Sequence, residues 1–227
     1  MTNVSGTPKK RATRSGLFAF AVETLEGEGW AVSRVPRGGK ASLRLITKGG
    51  KSHKVSIRTS QDAWIAFPRK TGADGWVTLD DVDFVIAVSV DDRHNPTIAR
   101  VHMIPADDAR SRFDRAYAAR KAANHTLPDG RGIWLSLYDK DEADPVSHVG
   151  AGMGLDYQPL ATLDLAKSSL PTGTGTDTEE EDVAEDEDQA APVSNSATEP
   201  LTIPEAKRLL ALSLGVPESA IKISIEH

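Results

Sequence analysis

An α/β domain is the fold class this sequence predicts, on three observations. Residues 41–60 (ASLRLITKGGKSHKVSIRTS) alternate Leu43 and Leu45, then Val55 and Ile57, with polar neighbours. Between them Lys48-Gly49-Gly50-Lys51 supplies the glycines that a tight reversal at positive φ demands, so two strands joined by a short turn follow. Residues 84–90 (FVIAVSV) are a near-continuous β-branched run, the pattern of a central strand buried on both faces. Phe18, Ala21, Val22 and Leu25 recur at helical spacing until Gly27 and Gly29 stop the run.

The remaining elements follow in chain order. Residues 1–15 (MTNVSGTPKKRATRS) are polar and basic without apolar periodicity and read as a disordered arm, whose Lys9, Lys10, Arg11 and Arg14 are placed to touch phosphates. Residues 31–35 (AVSRV) read as a strand, and Trp64, Ile65 and Phe67 as an apolar strand or edge before Pro68. Beyond a turn at residues 91–96, ARVHMI is a further strand, stopped by Pro105. Asp107 or Asp108 is expected to cap a helix of ARSRFDRAYAARKAA. Its apolar face is Ala109, Phe113, Ala116 and Tyr117, and the rest is basic: Arg110, Arg112, Arg115, Arg120 and Lys121. Such a face beside a sheet fits a nucleic-acid backbone, and both Arg112 and Arg115 are expected to be exposed. Gly130 and Gly132 close a turn into another strand, IWLSLY.

Composition divides the chain. Residues 1–167 carry 24 Lys and Arg against 20 Asp and Glu, whereas residues 177–188 alone hold nine acids, so the overall net charge of −6 describes neither part. Residues 168–200 have almost no large apolar side chain and read as a disordered acidic linker. In residues 201–227, Thr202 with Glu205 forms a capping box, and Leu209, Leu210 and Leu214 line a helical face as far as Gly215. Ile221, Ile223 and Ile225 then alternate as a strand. So short a unit cannot bury both faces alone, which predicts a tethered helix–strand module that associates with a protein partner or with itself. The expected organisation is therefore 1–15 arm, 16–167 α/β domain, 168–200 linker and 201–227 interaction module.

Several chemistries are excluded. With no cysteine there is no disulfide, thiolate nucleophile or Cys-based zinc site. The six histidines are scattered without HxH or HExxH spacing, and neither a P-loop nor a G-x-S-x-G elbow is present. The tract Asp139, Asp141, Glu142, Asp144 lacks the glycine and terminal glutamate of a calcium loop, and Gly150, Gly152 and Gly154 do not make a phosphate cradle. The apolar stretch at 17–22 is too short for a signal or a membrane span, so a soluble cytoplasmic protein is expected.

The order of these elements over residues 16–106, with the Gly29-Trp30 step, the hairpin and the VDF…V…V…IPA continuation, resembles the core of the PD-(D/E)xK, or restriction-endonuclease-like, superfamily. The resemblance implies a central mixed sheet flanked by helices. It also implies a metal-binding Asp at the start of the first hairpin strand and an acid-x-Lys pair on the second. Here Leu43, or Ser42 by a shift of one, stands at the first position, Ser56 at the second acid and Arg58 at the lysine. Leu cannot ligate a hard cation, neutral Ser is a poor substitute for a carboxylate, and Arg stays protonated and cannot act as a base. No catalytic residue, metal or cofactor is therefore expected.

The resemblance thus implies a degenerate nuclease-like domain that binds nucleic acid, through Arg58 and the basic helix, or a protein partner. It would serve as a component of a bacterial DNA-processing, defence or mobile-element system. Two other readings stand beside it: an active Mg²⁺ nuclease whose acids have migrated to Asp62, Asp80, Asp81 or Asp83, with Asp62 and Asp83 best placed, and a scaffold that holds proteins only.

Overall fold

The computed structural model describes residues 8–35, 42–127 and 130–172. The expected acidic linker beyond residue 172 and the module carrying Leu209, Leu210, Leu214, Ile221, Ile223 and Ile225 lie outside the described residues.

Helix α1 (Pro8–Gly27) leads into an antiparallel meander of β1 (Ala31–Arg34), β2 (Leu43–Lys48) and β3 (Lys51–Ser60). The β2–β3 reversal places Gly49 at φ 57° and Gly50 at φ 77°, the left-handed pair that the Gly-Gly step predicts. Next come β4 (Trp64–Pro68), a single 3-10 turn at Leu79–Asp81, and β5 (Phe84–Val90), which returns parallel to β3. Then follow β6 (Ile98–Pro105), helix α2 (Ala106–Ala122), β7 (Gly132–Ser136), a short helical turn α3 (Met153–Asp156) and β8 (Ala161–Asp164).

Six strands form one mixed sheet in the order β1-β2-β3-β5-β6-β8, with β3–β5 its parallel pair. β4 and β7 pair separately as a two-stranded antiparallel ribbon. The domain is α/β, with apolar side chains on both sides of the sheet. Alternate residues of β5 divide between two cores: Ile86, Val88 and Val90 pack towards α1 with Leu17, Ala21, Leu25, Val55 and Ile57. Val85 and Ala87 pack the opposite way, with α2 and the ribbon, against Phe67, Trp76, Leu79, Phe113 and Leu135. This two-sided burial is what the near-continuous apolar run of FVIAVSV requires.

Three expectations need correction. The basic arm is not disordered throughout, because α1 begins at Pro8; proline is suited to a first helical turn, where its missing N–H leaves no bond unmade. The α2 N-cap is Pro105 with no side-chain cap, so Asp107 and Asp108 lie inside the first turn, where carboxylates favour the positive helix end. The domain does not end at residue 167: partly buried Leu170 packs on the α1 core, and a Cβ at Gly16 would come within 2.9 Å of its side chain. Strand β8 was not foreseen at all. Among the described residues no helix is long and apolar enough to cross a membrane.

Candidate functional site

The sheet face turned towards α2 and the ribbon carries the positions that the nuclease resemblance singles out. Leu43 pairs directly with Ser56, and Ser56 in turn with Val85. Ser56 is 0% exposed and its hydroxyl has no hydrogen-bond partner among the described residues, while Leu43 packs into the core beside it. Two residues on, Arg58 is 3% exposed. Its guanidinium lies 4.4 Å from the centre of the Phe67 ring of β4 and donates to the Thr78 hydroxyl. That contact braces Thr78, a β-branched residue held at φ 66°. The ribbon and the chain leading to β5 therefore lie over the spot where a metal and a scissile phosphate would have to enter.

The candidate replacement acids do not converge. Asp62 accepts from the Ser60 hydroxyl at 2.8 Å and from the Trp64 amide at 2.9 Å, closing the turn between β3 and β4. Asp83 accepts from the Lys54 amide at 2.9 Å and lies 3.5 Å from His53, at the opposite end of β3. The six residue steps of strand from Lys54 to Ser60 correspond to about 20 Å, far beyond what one metal ion bridges. Asp80 is held by Lys70 and the Trp76 amide, each at 2.8 Å, and Asp81 is exposed. Among the described residues no three acids or histidines come together as a metal site, the Asp139–Asp144 tract included.

The basic helix is equally occupied with its own domain. Arg110 donates to the Leu79 carbonyl at 2.7 Å and to Asp107. Arg112, expected on the surface, has a side chain only 12% exposed and bonds Asp108, Asp156 and the Ala151 carbonyl. Arg115 is half exposed, as expected, and pairs with Asp141 at 2.7 Å. Arg120 is buried and donates to the carbonyls of Trp134 and Ser147. Burial opposes its charge and lowers its pKa. Of the five, Lys121 is exposed and makes no ion pair among the described residues. These cations join α2 to the chain at Leu79–Val82 and to residues 134–156, which is why so basic a helix packs so closely.

What the sequence did not announce is a polar row on the same sheet face, nearer the ends at which the parallel strands β3 and β5 finish. Cross-strand register aligns Ser60 with Ser89 and Ser89 with Arg100, and, one step along, Arg58 with Ala87 and Ala87 with His102. Tyr138, just beyond β7, ties the row together: its hydroxyl lies 3.0 Å from Ser89 and 2.9 Å from His102 Nε2, and the Arg100 guanidinium sits 5.5 Å from its ring centre. His102 Nδ1 is 2.8 Å from the Tyr157 carbonyl, which only accepts, so Nδ1 carries the proton and Nε2 receives the Tyr138 hydroxyl. Ser89 then donates to Tyr138, so the side chains of Ser89, Tyr138 and His102 are all partnered. The available signal was a lone serine in the apolar run of β5 and the alternating Arg100 and His102 of β6, since buried polar groups require partners.

His102 is 0% exposed, and burial, with a further contribution from Arg100, lowers its pKa despite the Tyr157 carbonyl that favours the charged ring. The unfolded chain therefore takes up this proton first. The stability His102 confers should be complete above its unfolded pKa of about 6.5, be lost progressively as pH falls to the depressed folded value, and level off below it. Urea midpoints measured from pH 7.5 to 5 should fall less steeply in His102→Gln than in the parent. Equal slopes would mean that His102 does not contribute.

No protein-family model, curated protein or solved structure matches this chain.

Proposed function

We propose that this chain is a nuclease-like α/β domain that binds nucleic acid without cutting it, a non-catalytic component of a DNA-processing, defence or mobile-element system. The observation that carries the reading is the closure of the motif positions: Ser56 and Arg58 are 0% and 3% exposed, and Leu43 packs beside them. A carboxylate at Ser56 would be removed from solvent at a cost, so the site is unsuited to a hydrated metal in its shape as well as in its residues. The order of helix, antiparallel meander and central strand within a mixed sheet supports the restriction-endonuclease-like assignment. Separation of Asp62 from Asp83 by the length of β3 disfavours the migrated-acid nuclease.

The full-length protein should leave single- and double-stranded DNA and RNA intact in Mg²⁺ or Mn²⁺, as read on denaturing gels. Cleavage that survives repurification and disappears in Asp83→Ala or Asp62→Ala would overturn the reading. Retention of a labelled oligonucleotide at about 50 mM salt, where counterion release most favours phosphate binding, is the positive half of the same test.

A further inference from the structure

The geometry points to the end of the sheet where β3 and β5 finish, rather than to α2, as the surface that receives nucleic-acid phosphates, with Arg14 and Arg100 as its principal contacts. This rests on the nucleic-acid-binding reading above and assigns its interface.

What separates the two surfaces is which of their cations are available. Four of the five basic side chains of α2 are committed to carboxylates or carbonyls of their own domain. At the β3–β5 end two arginines, Arg14 and Arg100, stand without such commitments among the described residues. Gln61, immediately after β3, donates to the Lys10 carbonyl at 3.0 Å, which fixes the first turns of α1 beside this end of the sheet. The turns so placed carry Lys9, Lys10, Arg11 and Arg14 and no acid. Arg14 lies one turn along from Lys10 and is half-buried. Arg100 lies near the same end on the opposite face, two strands from β3, a lateral step of about 10 Å. Neither Arg14 nor Arg100 has an ion-pair partner among the described residues.

Arg100 is built for an anion. Its guanidinium rests over the Tyr138 ring, and Tyr138 is fixed through its hydroxyl by Ser89 and His102. A planar fork held against an aromatic ring loses little freedom when it grips a phosphate, and its donors match two phosphate oxygens. Asp62 is the nearest acid after β3, and its carboxylate is turned into its own loop by Ser60 and Trp64. Asp91 and Asp92 likewise accept from the amides of the β5–β6 loop. Arg14 on one face and Arg100 on the other thus flank an end of the sheet across which a phosphate backbone can pass.

The test is fluorescence anisotropy of a labelled duplex oligonucleotide with the full-length protein, titrated from about 50 to 200 mM salt. Each phosphate contact contributes roughly 0.9 to the slope of log affinity against log salt for duplex DNA. The double variant Arg14→Gln, Arg100→Gln should therefore weaken binding and reduce that slope by about 1.8, whereas Arg115→Gln, Lys121→Gln on α2 should leave it unchanged. Thermal melts of both variants accompany the titrations, because a folding defect lowers the bound fraction without changing the number of ions released. A slope that falls only in the α2 variant would overturn the assignment of the interface and keep the binding function. If the parent protein binds no oligonucleotide even at 50 mM salt, both the function and its interface fall.

Discussion

Replacing Phe113 by alanine should cost about 4 kcal/mol, near the middle of the range for truncating a buried aromatic ring. Phe113 is 0% exposed on the inner face of α2 and meets two other elements of the core. Its ring stands edge-on to Phe67 of β4, with centres 5.3 Å apart at 89°, and tilted to Trp76 at the same separation and 60°. Alanine is the better helix former, so α2 gains locally and the entire loss comes from packing. The cavity would open between the helix, the ribbon and the chain before Leu79. The measurement is the urea midpoint at constant m-value. A cost below about 1.5 kcal/mol would show that Phe67 and Trp76 close the gap and that the packing is looser than these ring geometries imply.

The same contact explains why the motif positions are closed. Phe67 touches both the Arg58 guanidinium and, edge-on, the Phe113 ring, so α2, through one aromatic ring, helps keep the ribbon seated over β3. Local periodicity could disclose the hairpin, β5 and the apolar face of α2, because each is decided by neighbours in sequence. It could not disclose that β4 and β7 pair with each other, a non-local contact between two short apolar runs that read alike as ordinary strands. Once that ribbon exists, residues with the composition of a degenerate active site become core residues. The same limit applies to charge. Arg110, Arg112 and Arg120 lie on the helical positions of a solvated face, yet their partners Leu79, Asp156 and Trp134 come from distant segments, and no count along α2 reveals them. Pro8 is the opposite case: the first-turn signal was present in the sequence and was outweighed by the polar composition around it.

Arg112 is the most consequential of those hidden partnerships, and Arg112→Met should destabilise the domain by about 2 to 3 kcal/mol. The guanidinium uses three donors: Nε to Asp108 at 2.8 Å, Nη1 to the Ala151 carbonyl at 2.7 Å and Nη2 to Asp156 at 2.5 Å. Burial opposes its charge, but the bonds from Asp156 and Asp108 outweigh that effect and its pKa is raised. Methionine keeps most of the apolar stem and removes the charge, leaving Asp108 and the Ala151 carbonyl without their donor. Breaking a fully buried pair costs roughly 3 to 5 kcal/mol. The expected figure is smaller because Asp156 is 58% exposed and water can take over its oxygens. Arg115→Met is the matched comparison: its side chain is 51% exposed, it pairs with one carboxylate, and removal should cost less than about 1 kcal/mol. Because Arg112 joins α2 to Ala151 and Asp156, its loss should also raise hydrogen exchange at the amides of Gly152 and Asp156, which the Arg115 variant should leave protected. Equal midpoints for the two variants would mean that the Arg112 bonds merely replace those made with water and add nothing to the hold of α2 on its domain.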